Sequence, residues 1–173
     1  MKLTLLSISI LGCALLLGGC GDRKQAAVIP QPDKTAATPI QETFETVTNK
    51  LAPAAFSNID VINDVASPKP GSTIAIKADK VTIAGFAVDA TKGDAAAGVI
   101  VMIDGKPFKT TYGGERPDIA KALNNPKYTK SQFYLEVPTA AIGAGLHEVK
   151  IRVVASDKLG YYQSDSVIKL DVK

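Results

Sequence analysis

The hydrophobic pattern divides the chain into three parts. Leu3 to Leu17 is a run of apolar or small residues without a charge. Gly21 to Ser57 shows no period, carries prolines at 30, 32, 39 and 53, and holds few large apolar side chains. From Asn58 to the end, apolar and polar residues alternate in short stretches separated by turn residues, the two-residue period of half-buried strands. Ile59-Asp60-Val61-Ile62 opens this part, and Ser67-Pro68-Lys69-Pro70-Gly71 is a turn cluster. Val81, Ile83, Gly85 and Ala87 alternate with Thr82, Ala84, Phe86 and Val88, a strand with both faces fairly apolar. Asp89 to Ala97 reads as loop and Gly98 to Ile103 as a buried strand. Asp104-Gly105 is a strong hairpin signal, because both residues tolerate the positive φ of a tight two-residue turn. Lys106-Pro107-Phe108 begins the return strand, with a proline suited to an edge or a bulge.

Tyr112 to Pro126 is predicted to interrupt the β pattern. Gly113-Gly114 breaks it, Pro117 fits the first turn of a helix, and Asp118 complements the helix N-terminal dipole. Ile119, Ala120 and Leu123 pack inward in that helix, which Asn124-Asn125-Pro126 ends. Strands resume at Phe133, Leu135 and Val137. After a Gly143-Ala144-Gly145 turn, His147, Val149, Ile151 and Val153 face one way and Glu148, Lys150 and Arg152 the other. Ser156 to Gly160 turns, Tyr161-Tyr162 follows, and Ile168, Leu170 and Val172 line one face of the last strand. About seven short strands with frequent turns predict an all-β, antiparallel β-sandwich over residues 58–173, with a short helical insertion.

The first apolar run is too short for a mature transmembrane helix, which needs about 20 residues. One cation, Lys2, a short apolar core and the small residues Gly18 and Gly19 form a secretory signal over residues 1–19. Residues 20–57 form a linker whose composition cannot bury enough apolar surface to offset chain entropy. As a flexible coil, Gly21 to Ser57 spans about 35 Å. Within it, Gln41 to Leu51 admits one short helix that turns Phe44, Val47 and Leu51 to one side, either transient or docked on a partner.

Charge and cysteine content narrow the chemistry. Losing Lys2 with the signal lowers the formal net charge from +3 to +2, a mild and scattered excess that does not make a nucleic-acid-binding face. The two cysteines are Cys13, inside the signal, and Cys20. The domain therefore has no disulfide and no thiol nucleophile. With His147 as its sole histidine it also lacks the usual zinc ligand sets. No cofactor is expected.

Leu17-Gly18-Gly19-Cys20 resembles the lipobox of bacterial lipoproteins. That resemblance implies a thioether from Cys20 to diacylglycerol, cleavage before Cys20 and acylation of the new amine. Several acyl chains anchor a protein firmly without a transmembrane helix. Gly21, in place of the aspartate that resembles an inner-membrane retention signal, implies the outer membrane facing the periplasm in a Gram-negative cell. In a single-membrane cell the anchor implies the outer face of the cytoplasmic membrane. Gly98 to Phe108, Tyr112 to Ala120, Asn125 to Tyr128 with Phe133, Gly145-Leu146-His147, Arg152-Val153-Val154 and Tyr161-Tyr162 are similar to a bacterial Ig-like or fibronectin-type sandwich module. Such modules occur in exported lipoproteins and as appendages of membrane glycosyltransferases. The resemblance implies a fold and an envelope setting but no reaction.

Candidate binding residues are Tyr112, Arg116, Asp118 and Tyr162. An arginine beside a helix start, with exposed aromatics, suits a sugar or a carboxylate. In the alternative, Arg116 ties the insertion to the sandwich by a salt bridge while Asp118 stabilises the helix end. Tyr161 and Tyr162 are adjacent in a strand and point to opposite faces, so one is buried and one exposed. His147 fits a boundary residue bonded to backbone, because no positioned serine or nucleophile elbow accompanies it. The carboxylates are scattered rather than paired for glycoside hydrolysis. The expected function is a non-catalytic envelope interaction module for another envelope protein, with a carbohydrate-binding module for peptidoglycan or surface polysaccharide as the alternative and a hydrolase as a remote one.

Overall fold

The structure, a computed structural model, describes residues 47–52 and 55–173. The Leu3–Leu17 run, Cys20 and most of the expected Gln41–Leu51 helix lie outside the described residues. In chain order the strands begin with β1 (Ala55–Ile62), β2 (Val65–Ala66), β3 (Thr73–Ile76) and β4 (Lys80–Asp89). There follow β5 (Asp94–Ala95), β6 (Gly98–Ile103), β7 (Lys106–Lys109) and β8 (Thr111–Glu115). Helix α1 (Pro117–Ala122) and a 3-10 turn (Pro126–Thr129) lead into β9 (Lys130–Pro138). Helix α2 (Thr139–Ile142) precedes β10 (Gly145–Val154), β11 (Tyr161–Gln163) and β12 (Ile168–Val172).

The strands form two sheets, ordered β2-β1-β4-β9-β8 and β3-β12-β10-β6-β7, with β5 on β4 and β11 on β10. If β1, β4, β6, β8, β9, β10 and β12 are lettered A to G, the sheets read ABED and CFG, the order of an Ig-like sandwich. The alternation puts Val81, Ile83 and Ala87 of β4 with Phe133, Leu135 and Val137 of β9. Across the sandwich lie Val99, Val101, Val149, Val153 and Leu170. Gly85 belongs to this layer because a side chain there has no room: a Cβ would stand 2.0 Å from the Asn58 carbonyl and 2.9 Å from the Phe133 ring. The apolar outer face of β4 has its own cover. Ile119, Ala120, Leu123 and Tyr128 of the helical insertion close over Phe86 and Val88. The Asp104-Gly105 hairpin forms as expected, with φ of +50° and +79°.

Four features depart from the sequence expectation. The sandwich is not purely antiparallel, because β3 runs parallel to β12 with Leu170 opposite Ile74. Thr111–Glu115 does not interrupt the sheet but forms its edge strand β8. Gly113 and Gly114 are bulge residues there, where the register against β9 shifts. Asp94–Ala95, inside the expected loop, pairs with Val88–Asp89. The expected flexible linker ends before Ser57: β1 starts at Ala55, and the stretch before it is docked. Leu51 N–H donates to the Tyr161 carbonyl at 2.8 Å, and Tyr161 N–H donates to the Asn49 carbonyl at 2.9 Å, beside a parallel Lys50–Tyr161 bridge. Leu51 packs on the main core and Val47 on Ile100, Met102 and Val154.

Candidate functional site

Arg116 sits at the start of α1, where the chain leaves the edge strand β8. Its Nε and Nη2 donate to the Asp118 carboxylate at 2.9 and 2.8 Å, and Nη1 donates to Asp60 Oδ2 at 2.6 Å. Asp60 reaches it because β1 bulges between Ile59 and Val61, shifting its register against β4. The guanidinium also lies 5.3 Å from the centre of the Phe86 ring, a cation–π contact. Its side chain is only 13 % exposed, so both ends of the fork are engaged within the domain. Arg116 holds the Asp118 carboxyl below the usual carboxylate range, and the Asp118 hydrogen bond in turn raises Arg116. This is the tie between insertion and sandwich, a joint rather than an open recognition site.

The expected aromatic surface does not form either. The Tyr112 hydroxyl accepts from Ala96 N–H at 3.0 Å and donates to the Ala87 carbonyl at 2.8 Å. Burial pushes its phenol well above the ordinary value. Tyr162 is the buried member of its pair, at 4 % exposure, because its register opposite Val153 turns it into the core. Burial raises its phenol as well. Tyr112 and Tyr162 belong to opposite sheets, so the residues singled out for binding are not gathered on one exposed surface.

Tyr162 reports a different constellation that sequence patterning does not reveal. Asp89, fully buried at the end of β4, accepts from the Tyr162 hydroxyl at 3.0 Å and Lys92 N–H at 3.1 Å through Oδ1. Through Oδ2 it accepts from Ser156 N–H at 2.9 Å and Ser156 Oγ at 3.0 Å. Four donors meet the four acceptor positions of one carboxylate. The arrangement fastens the two sheets together and leaves no lone pair to abstract a substrate proton.

His147 occupies the corner where β10 begins. Its Nε2 faces the Gly143 carbonyl at 3.1 Å and its Nδ1 faces Asp104 Oδ2 at 2.7 Å. Ig-type sandwiches place a tyrosine at a comparable corner, bonded back to backbone just upstream. Here a histidine makes that bond and adds one to the β6–β7 turn. The Glu148 N–H and then His147 draw the Asp104 carboxyl below its ordinary range.

The outer face of the sheet containing β10 is different. A cleft of about 170 Å³ opens there over Met102, walled by Asp104, Gly105, Glu148, Lys150, Arg152 and Gln163. Arg152 Nε donates to Gln163 Oε1 at 2.7 Å, and its guanidinium carbon lies 4.5 Å from the centre of the Tyr161 ring. Sequence reasoning placed Arg152 on this polar face, but its stacking partner follows from the β10–β11 register. Among the described residues, no group of three or more His, Cys, Asp or Glu side chains is placed to hold a metal ion.

No family model matches the chain, and no curated protein matches it. Among solved structures it is similar to the endo-β-1,4-mannanase from Thermotoga petrophila, at 16 % identity and a TM-score of 0.41. The similarity covers 69 % of this chain and 20 % of the mannanase chain, so the chain spans about a fifth of that protein's length.

Proposed function

We propose that the chain is an envelope lipoprotein, anchored through lipid on Cys20, that presents a non-catalytic Ig-like module to another envelope protein. The observation that carries this reading is the internal engagement of the chemistry-bearing side chains. Arg116, Tyr112, Tyr162, Asp89 and His147 each bond to partners within the sandwich. What faces solvent instead suits contact with a macromolecule. Phe56 and Leu146 are 53 % and 61 % exposed, and β2 covers only Val61 and Ile62 of β1, leaving Ala55 to Asn58 as an open edge. Exposed edges accept strands, and exposed aromatics anchor interfaces.

The anchor is tested by fractionating cells that carry the wild type or Cys20→Ala. The wild type partitions with membranes and the variant is released; a variant that stays in the membrane overturns the anchor. For the interaction, photocrosslinking residues are placed at Phe56, Leu146 and Lys109 of the full-length protein. Discrete adducts with an envelope protein are expected, and random unenriched adducts at all three positions refute the reading.

A further inference from the structure

Two arginines lie among the described residues, and they are held in opposite ways. Arg116 has both ends of its fork on carboxylates. Arg152 is held between the Tyr161 ring and Gln163, through its face and its Nε. Among the described residues no carboxylate pairs with it. A guanidinium recognises a carboxylate through two parallel N–H groups, and fixing its pose beforehand removes most of the ordering cost. Two carboxylates also line the cleft, but both are engaged elsewhere: Glu148 lies 3.8 Å from Lys150 on the same face of β10, and Asp104 accepts from Glu148 N–H and faces His147, with Met102 as the apolar floor between them and Arg152.

We propose that this cleft is an anchor site for a carboxylate side chain of a protein partner, gripped by the Nη edge of Arg152 with Lys150 beside it. The proposal rests on the interaction-module reading and gives it a location. The cleft, about 170 Å³, has room for an acidic side chain. The aromatic arrangement disfavours a sugar. A sugar needs a bare ring to stack on, and the Tyr161 ring already carries the Arg152 guanidinium. An arginine held at a partly buried surface is also the type of residue that dominates protein interfaces.

The test uses the full-length protein in membranes, with a photocrosslinker at Lys109, across the sheet from Arg152, and another at Phe56 on the opposite sheet. Arg152→Gln is combined with each. The adduct from Lys109 is expected to fall about 10- to 100-fold with Arg152→Gln, the worth of a charge-assisted hydrogen bond. Arg152→Lys, which keeps charge but not the fork, falls less. Gln163→Leu, which keeps the arginine and removes its clamp, also gives a partial loss. An undiminished Lys109 adduct in Arg152→Gln overturns the site. Adducts from Phe56 alone leave the interaction module standing and overturn the site; no enriched adduct at any position overturns the module itself.

A second arm titrates the detergent-solubilised protein with poly-L-glutamate or polygalacturonate and follows the Arg152 Nε–H resonance. A shift with poly-L-glutamate, abolished by high salt, supports the assignment. A response to polygalacturonate alone overturns it in favour of an acidic glycan, and silence with both overturns it outright.

Discussion

Asp89 offers the sharpest test of how the two sheets are held together. It is 0 % exposed and accepts four hydrogen bonds, three of which join the end of β4 to the β10–β11 turn and to Tyr162 while the fourth, from Lys92 N–H, closes the loop after β4. Hydrogen bonds to a charged group contribute about 1.5–3 kcal/mol each, but their sum overstates the group's worth because burying the carboxylate is itself costly. Removing one partner of a buried charged network costs about 3–5 kcal/mol, and Asp89→Ala is expected in that range. Asp89→Asn keeps the shape but turns an amide N–H₂ toward two donors, so a loss of about 2–4 kcal/mol follows. Tyr162→Phe leaves the other three bonds intact and costs about 1.5–3 kcal/mol. Ser156→Ala keeps the backbone donor on the same oxygen and costs about 1.5–3 kcal/mol, at the lower end of that range. Domains of this kind have roughly 5–15 kcal/mol in total, so Asp89→Ala is a large perturbation. Urea unfolding followed by far-ultraviolet circular dichroism gives each value. In the Asp89→Asn/Tyr162→Phe cycle the losses should be clearly less than additive, because both remove the same bond. Asp89→Asn within about 0.5 kcal/mol of wild type, or strict additivity in the cycle, refutes the hub.

Arg116→Met strands the shielded Asp60, while the exposed Asp118 turns to water, and should cost about 2–3 kcal/mol, with faster amide exchange confined at first to residues 116–130; uniform exchange throughout the domain speaks against a local joint. The lowered carboxyls of Asp104 and Asp118 contribute stability above the ordinary carboxylate range, lost as pH falls through their folded values. Melting curves of wild type and Asp118→Asn should therefore differ at pH 7 and converge in acid, and a gap independent of pH contradicts the ion pair. At Gly160 a Cβ would meet the Leu51 side chain at 2.6 Å and the Asn49 carbonyl at 2.8 Å. Gly160→Ala should release residues 49–51, exposing the Leu51 and Tyr161 amides to exchange while Val153 stays protected; unchanged protection at Leu51 refutes the docking. Among the described residues the buried Ser131 Oγ has no hydrogen-bond partner, so Ser131→Ala should be neutral or stabilising by up to about 1 kcal/mol in the same urea assay, and a clear loss points to a bonded hydroxyl.

Periodicity made most of the sandwich legible. β4, β9, β10 and β12 each show their alternation locally, β6 shows itself as a short unbroken apolar run, and Asp104-Gly105 specifies its turn without help. The features that escaped are those fixed by pairing between distant segments. Thr73–Ile76 is four residues long, and nothing within it says that β12 lies alongside in parallel. Gly113-Gly114 carries the composition of a break, yet a bulged edge strand uses the same residues. Alternation correctly puts Tyr161 and Tyr162 on opposite faces. Which one enters the core depends on Tyr162 lying opposite Val153, a register invisible in the sequence. The same limit applies to the arginines. Asp118 is two residues from Arg116, but Asp60 is fifty-six away and arrives through a bulge, whereas Arg152 receives, among the described residues, an aromatic ring and Gln163 but no acid.

The sheet margins bear on how molecules of this protein behave when crowded together. An unprotected margin is a template on which identical chains zip into fibres. β7 discourages this with Pro107 between Lys106 and Lys109, and β8 with two consecutive glycine irregularities. β11 already carries residues 49–51 of its own chain. Among the described residues these devices leave Ala55 to Asn58 of β1 and the outer side of the short β3 open to a newcomer, so at high concentration neighbouring copies should meet along those two margins rather than along β7, β8 or β11.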